Sequence, residues 1–164
     1  MRTNASSAAS LSDLFATLWQ ITETKRFAPS DHRTRPTTAD QMYTVLAVDD
    51  DRGSRAMLES VLGAHGYNVV SVASGAEALT LMARMRPSVV VTDIMMPIMD
   101  GLTFCRTLRA SRKTAQIPVV ALTATEAVFR GVKTPFDIVL PKPLDVLRLV
   151  AAIERLLKKR PRRK

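Results

Sequence analysis

The stretch Val89-Val90-Val91-Thr92-Asp93-Ile94-Met95-Met96-Pro97-Ile98-Met99-Asp100-Gly101 decides how the rest of the 164-residue chain is read. Val89–Thr92 is β-branched throughout and has no polar face, so it predicts a strand buried on both sides. A carboxylate, Asp93, stands where that run stops. A loop containing Pro97 comes next, and a helix is expected from about Gly101 to Ala110. A short buried strand that ends in an acid and leads through a loop into a helix fits a parallel sheet covered on both faces.

The same alternation extends in both directions. Upstream, Tyr43–Val48 is a buried strand, followed by the acidic turn Asp49-Asp50-Asp51 and a helix whose Leu58, Val61, Leu62 and His65 share one face; Gly66 stops that helix. Asn68–Ala73 is a second strand, and Ser74-Gly75-Ala76-Glu77 is a capping box that opens the next helix. Downstream, Pro118–Leu122 is the fourth strand, a short helix is expected near Glu126–Val132, and Asp137–Leu140 is the fifth strand. The last helix runs from about Leu144 to Lys159. Five strands alternating with five helices give an α/β fold, a doubly wound parallel sheet.

Composition bounds the rest. With 46 % apolar and 24 % charged residues, the chain has room for one ordinary domain plus tails. Residues 1–41 read as a mostly disordered extension carrying a short amphipathic helix near 11–22, with Leu11, Leu14, Phe15, Leu18 and Trp19 on one face. Residues 42–157 form the domain, and 158–164 form a basic tail. The net charge of +9 is uneven: residues 1–40 contribute +1, residues 41–157 contribute +2, and the tail contributes +6. Basicity therefore describes the tail and is weak ground for a nucleic-acid-binding domain. No apolar run approaches the roughly 18 residues of a membrane span, and no secretory signal is expected. One cysteine, Cys105, excludes an internal disulfide framework and points to the cytoplasm; with two histidines, most zinc centres are excluded as well.

The polar residues that carry chemistry fall at the carboxyl ends of the strands, where parallel sheets bind ligands. Asp49, Asp50 and Asp51 follow the first strand, Asp93 the third, Thr123 the fourth and Lys142 the fifth. Carboxylates gathered in one crevice repel each other unless a cation lies between them, and oxygen ligands without His or Cys suit Mg²⁺. Lys142 adds a point charge for an anion, and Thr123 a hydroxyl donor. Together these are the parts of a phosphoryl-transfer site, with no glycine-rich loop to hold a nucleotide.

Val48-Asp49-Asp50, Thr92-Asp93 through Pro97 to Asp100-Gly101, Leu122-Thr123-Ala124 and Lys142-Pro143, in that order, resemble the response-regulator receiver domain of two-component signalling. The resemblance spans about residues 43–158 and implies a flavodoxin-like fold with strand order 2-1-3-4-5. It implies that Asp93 is the phosphoacceptor, taking a phosphoryl group from a sensor histidine kinase or a histidine phosphotransfer protein. Asp50, Asp93 and the Met95 backbone carbonyl would bind Mg²⁺ directly, and Asp49 through water. Lys142 would pair with the phosphoryl group, Thr123 would close on it, Pro97 and Gly101 would shape the loop, and Lys142-Pro143 would be cis. Such a protein is a signalling receiver, not an enzyme, although it takes part in its own Mg²⁺-dependent phosphorylation and dephosphorylation. Two departures stand out: Val139 occupies the position where most members carry an aromatic switch residue, and the Thr123–Lys142 stretch is short.

Other residues have plainer readings. Asp51 fits a helix N-cap, His65 a packed or dipole-facing side chain, Cys105 a small core residue, and Met95, Met96 and Met99 a hydrophobic collar. The last helix shows two apolar stripes: Val146, Val150, Ile153 and Leu157, then Leu149, Ala152 and Leu156. One stripe suits the sheet; the other suits a partner, a second copy of the chain among the possibilities, or belongs to a wide buried face covered by the N-terminal helix. Output is expected through contacts with a downstream protein. The alternative is a receiver that gates nucleic-acid or membrane association through its basic tail and N-terminal helix.

Overall fold

The computed structural model describes residues 43–125, 131 and 133–158. The expected N-terminal helix, the helix near Glu126–Val132 and the tail beyond Lys158 lie outside these residues, except for Gly131. Within them run β1 (Thr44–Val48), α1 (Arg52–Ala64), β2 (Asn68–Val72), α2 (Gly75–Met82), β3 (Val89–Asp93), α3 (Gly101–Ala110), β4 (Val119–Thr123), β5 (Ile138–Pro141) and α4 (Val146–Lys158). The strands form one parallel sheet in the order β2-β1-β3-β4-β5, as the resemblance implied.

The β-branched runs explain the layering. β3 and β4 are buried along their whole length, whereas the edge strands β2 and β5 are only partly covered. Side chains alternate across the sheet with the period of two that a strand imposes. Leu46, Val48, Val90, Val119 and Ala121 pack with Ala78, Phe104 and Leu108 on one face. Val45, Ala47, Val91, Val120 and Leu122 pack with Leu58, Leu62, Leu149 and Ile153 on the other. Both stripes of α4 enter this second layer: Leu149, Ala152, Ile153, Leu156 and Leu157 are all buried. The wide apolar face is therefore used largely inside the domain, and Leu147 is the large apolar side chain of α4 left exposed.

Local polar chemistry sets where each helix starts. Asp51 caps α1 by accepting from the Ser54 amide at 2.7 Å, and Asp100 caps α3 by accepting from Thr103 at 2.6 Å. At α2, Ser74 accepts from Glu77, while the Glu77 carboxylate reaches back to the Ala73 amide. Gly66, at φ 82°, ends α1. His65 is exposed rather than packed, and its Nδ1 donates to the Val61 carbonyl at the end of that helix. Cys105 is buried, and burial pushes its thiol pKa up to about 11.

The short return from β4 to β5 is pinned by Arg109 of α3. Its guanidinium donates to the Pro135, Ala115 and Ile117 carbonyls and pairs with Asp137 at 2.7 Å. Asp137 also accepts from the Val119 amide at 2.8 Å, so it serves this anchor while β5 starts one residue later, at Ile138.

Candidate functional site

Strand register brings the chemistry to one end of the sheet. Val48 pairs with Thr92, Asp93 with Leu122 and Thr123 with Pro141, so the residues at or just beyond these ends face one crevice. Carboxylate oxygens of Asp49, Asp50 and Asp93 all lie within 4.8 Å of one another. Asp49 and Asp93 are buried, and Asp50 is exposed.

Lys142 reaches into the cluster from just beyond β5. Its Nζ donates to Asp93 Oδ2 at 2.8 Å and to Asp49 Oδ2 at 3.2 Å. Burial alone would lower the lysine pKa, but the two carboxylates outweigh it and hold the ammonium above its usual range. For Asp49, burial dominates and raises the pKa, against the opposing Asp51 amide and Lys142. The Lys142-Pro143 peptide is cis, as expected.

The loop after β3 is fixed by backbone geometry. Asp93 Oδ1 accepts from the Met95 amide at 3.2 Å, which ties the Met95 peptide to the acid. Met99 donates to the Pro97 carbonyl across a three-residue turn, with Ile98 at φ 68°, an unusual conformation for a β-branched residue. The collar is uneven: Met96 is buried, Met99 packs on the core, and Met95 and Ile98 are exposed.

Thr123 is brought to the same end of the sheet but not into hydrogen-bonding contact with Asp93. Its Oγ1 accepts from the Thr125 amide at 3.1 Å and lies 3.4 Å from Thr125 Oγ1. The Thr123 carbonyl accepts from the Lys142 amide at 2.7 Å, which locks the ends of β4 and β5 together.

The donor set fits a hard divalent cation. Ligand oxygens on an octahedral Mg²⁺ lie about 3 Å apart along an edge and about 4.2 Å across, so carboxylate oxygens of Asp50 and Asp93 within 4.8 Å need only small movements to share one ion, with Asp49 close enough to reach it through water. Sequence reasoning missed Arg55. Its guanidinium donates to the Asp49 carbonyl at 2.7 Å and to the Asp50 carbonyl at 3.0 Å. The available signal was its position one helical turn after the acidic cluster.

The family model for the response regulator receiver domain matches residues 45–154. The chain belongs to that family. Receivers are the phosphorylatable modules of two-component signalling and bind Mg²⁺ at an acidic site of this kind. Response regulator MprA of Mycobacterium leprae is 42 % identical over 118 residues, covering 70 % of this chain and 51 % of the relative. The chain thus spans about half the length of the curated relatives it matches. Among solved structures, the receiver domain of a signal transduction histidine kinase from Syntrophus aciditrophicus superposes with TM-score 0.68 at 30 % identity, covering 74 % of this chain and 95 % of that one. CheY4 of Vibrio cholerae gives 0.65 at 32 %, covering 71 % and 100 %. The receiver domain of sensor histidine kinase PA1611 from Pseudomonas aeruginosa, solved with a magnesium ion in its active-site cleft, gives 0.67 at 26 %, covering 73 % and 100 %. Among the described residues, no helix is long and apolar enough to cross a membrane.

Proposed function

We propose that Asp93 is the phosphoacceptor of this receiver and takes its phosphoryl group from a phosphohistidine on a sensor kinase or phosphotransfer protein. The observation that carries this reading is the Lys142 ammonium shared by Asp93 and Asp49 beside the third carboxylate, Asp50. A carboxylate oxygen of Asp93 forms the new P–O bond as the P–N bond to the imidazole breaks, and the departing ring nitrogen keeps the electron pair. Asp50, Asp93 and the Met95 carbonyl are the residues to hold Mg²⁺ directly, with Asp49 acting through water. Bound there, the ion supplies positive charge to the phosphoryl oxygens.

Lys142 contributes a second positive charge, already in place at the acceptor. Thr123 contributes a hydroxyl donor for a phosphoryl oxygen, while its own oxygen accepts from the Thr125 amide. Signal output then runs through contacts with a downstream protein, in the cytoplasm, without turnover of a separate substrate. Acetyl phosphate with Mg²⁺ should add one phosphoryl group to the wild-type chain and none to Asp93→Asn, as read by intact mass. Equal labelling of both would overturn the assignment.

A further inference from the structure

Asp50 differs from its neighbours in how it is placed. The Asp49 carboxylate is held by the Asp51 amide and Lys142, and the Asp93 carboxylate by the Met95 amide and Lys142. Among the described residues, the hydrogen bonding of Asp50 runs through its backbone carbonyl to Arg55. The direction of its side chain therefore depends on the peptide to which it is attached. That peptide is gripped from one side: a single guanidinium nitrogen of Arg55 takes both the Asp49 and the Asp50 carbonyl oxygens.

We propose that Arg55 is a positioning residue for the cation site, aiming the Asp50 carboxylate at Asp93 by fixing the two carbonyls of the acidic turn. This rests on the reading of Asp50 and Asp93 as cation ligands. Geometry and charge make opposite demands on Arg55. Its positive charge repels a divalent cation, so removing that charge alone tightens Mg²⁺ binding. Releasing the turn lets the Asp50 peptide rotate, so that ordering the carboxylate must be done at the moment of binding, which weakens it. The sign of the change separates the two roles.

Calorimetric titration of Mg²⁺ into the full chain, wild type against Arg55→Met and Arg55→Lys, reads that sign. Arg55→Met is expected to weaken binding by about 3–10-fold, less than the roughly 10–100-fold typical when a ligand loses its orienting partner, because the lost charge works in the opposite direction. Arg55→Lys keeps the repelling charge on a shorter arm and is expected to bind Mg²⁺ more weakly than wild type. Denaturation midpoints without Mg²⁺ separate the effect from general unfolding; a shift in affinity at an unchanged midpoint is the positioning signature. Tighter or unchanged binding in Arg55→Met overturns the inference. Should Arg55→Met fail to fold, Arg55→Lys decides at constant charge: weaker binding supports the role, and unchanged binding overturns it. Absence of Mg²⁺ binding in the wild type would instead remove the ligand reading itself, and this inference with it.

Discussion

Gly101 lies so close beneath Asp93 that a β-carbon there would overlap the Asp93 carbonyl oxygen and stand 2.9 Å from Ile94 Cα. No side chain larger than hydrogen fits, and the partner in the clash is backbone, which cannot swing aside. The Gly101 amide meanwhile donates to the Ile94 carbonyl at 2.9 Å, closing the loop that carries Met95. The start of α3 and the end of β3 are thus one rigid unit, with the Asp93 carboxylate at its tip.

Gly101→Ala should force these backbones apart, costing about 1–3 kcal/mol as overpacking usually does. Because the displaced segment includes Met95, Mg²⁺ affinity should fall together with the urea midpoint. Retention of both at wild-type values would show that the loop yields more easily than the spacing implies.

Lys142 supplies the counter-charge to Asp49 and Asp93, so Lys142→Met should leave those acids facing each other. The expected loss at neutral pH without metal is about 1–2 kcal/mol, below the ~3–5 kcal/mol of a fully buried pair because the lysine is partly exposed. Added Mg²⁺ should restore much of it. The pH dependence derives from the raised lysine pKa. Its stabilising contribution is complete below the ordinary lysine value of about 10.4 and is lost as pH rises through the higher folded value. Alkaline melts of wild type and Lys142→Met should therefore converge above that window; a constant gap up to the highest pH would contradict the pairing.

Much of this site was legible in the sequence because parallel strands advertise themselves as β-branched runs, and the residues just after those runs meet in one crevice. Asp49, Asp50, Asp93, Thr123 and Lys142 needed little more than that rule. Strand ends were less legible: β3 extends through Asp93 because that residue pairs with Leu122, a partner 29 positions away. The partners of Arg55 and Arg109 were harder to read for a related reason. Each arginine donates to backbone carbonyls, which every residue possesses, so no motif marks the partner. His65 was read from its spacing as packed or dipole-facing, and the second reading holds: at the end of α1 its ring turns to the Val61 carbonyl. The double stripe of α4 gave no sign of whether one neighbour or two would cover it, and the packed layer shows both stripes entering the same core.

Val139 bears on how phosphorylation is transmitted. It is half-buried, pairs with Ala121, and packs on the core layer that includes Phe136 and Cys105. A β-branched side chain of this length is stiff at χ1 and cannot swing between inner and outer positions. Val139→Tyr should therefore leave the response to beryllofluoride unchanged or impaired, as read by amide exchange in α4 and at residues 124–135. A large gain in coupling would show that an aromatic ring at this edge suffices to transmit the signal.

The roles of Lys142, Asp50 and Thr123 all depend on where the phosphoryl group goes. After brief exposure to acetyl phosphate and Mg²⁺, borohydride reduction converts an aspartyl phosphate into homoserine, which peptide mass mapping locates to a single residue. Homoserine is expected at position 93 alone, and its formation should be lost when Mg²⁺ is chelated. Homoserine at position 49 or 50, or none at any position despite stable labelling, would contradict Asp93 as the acceptor.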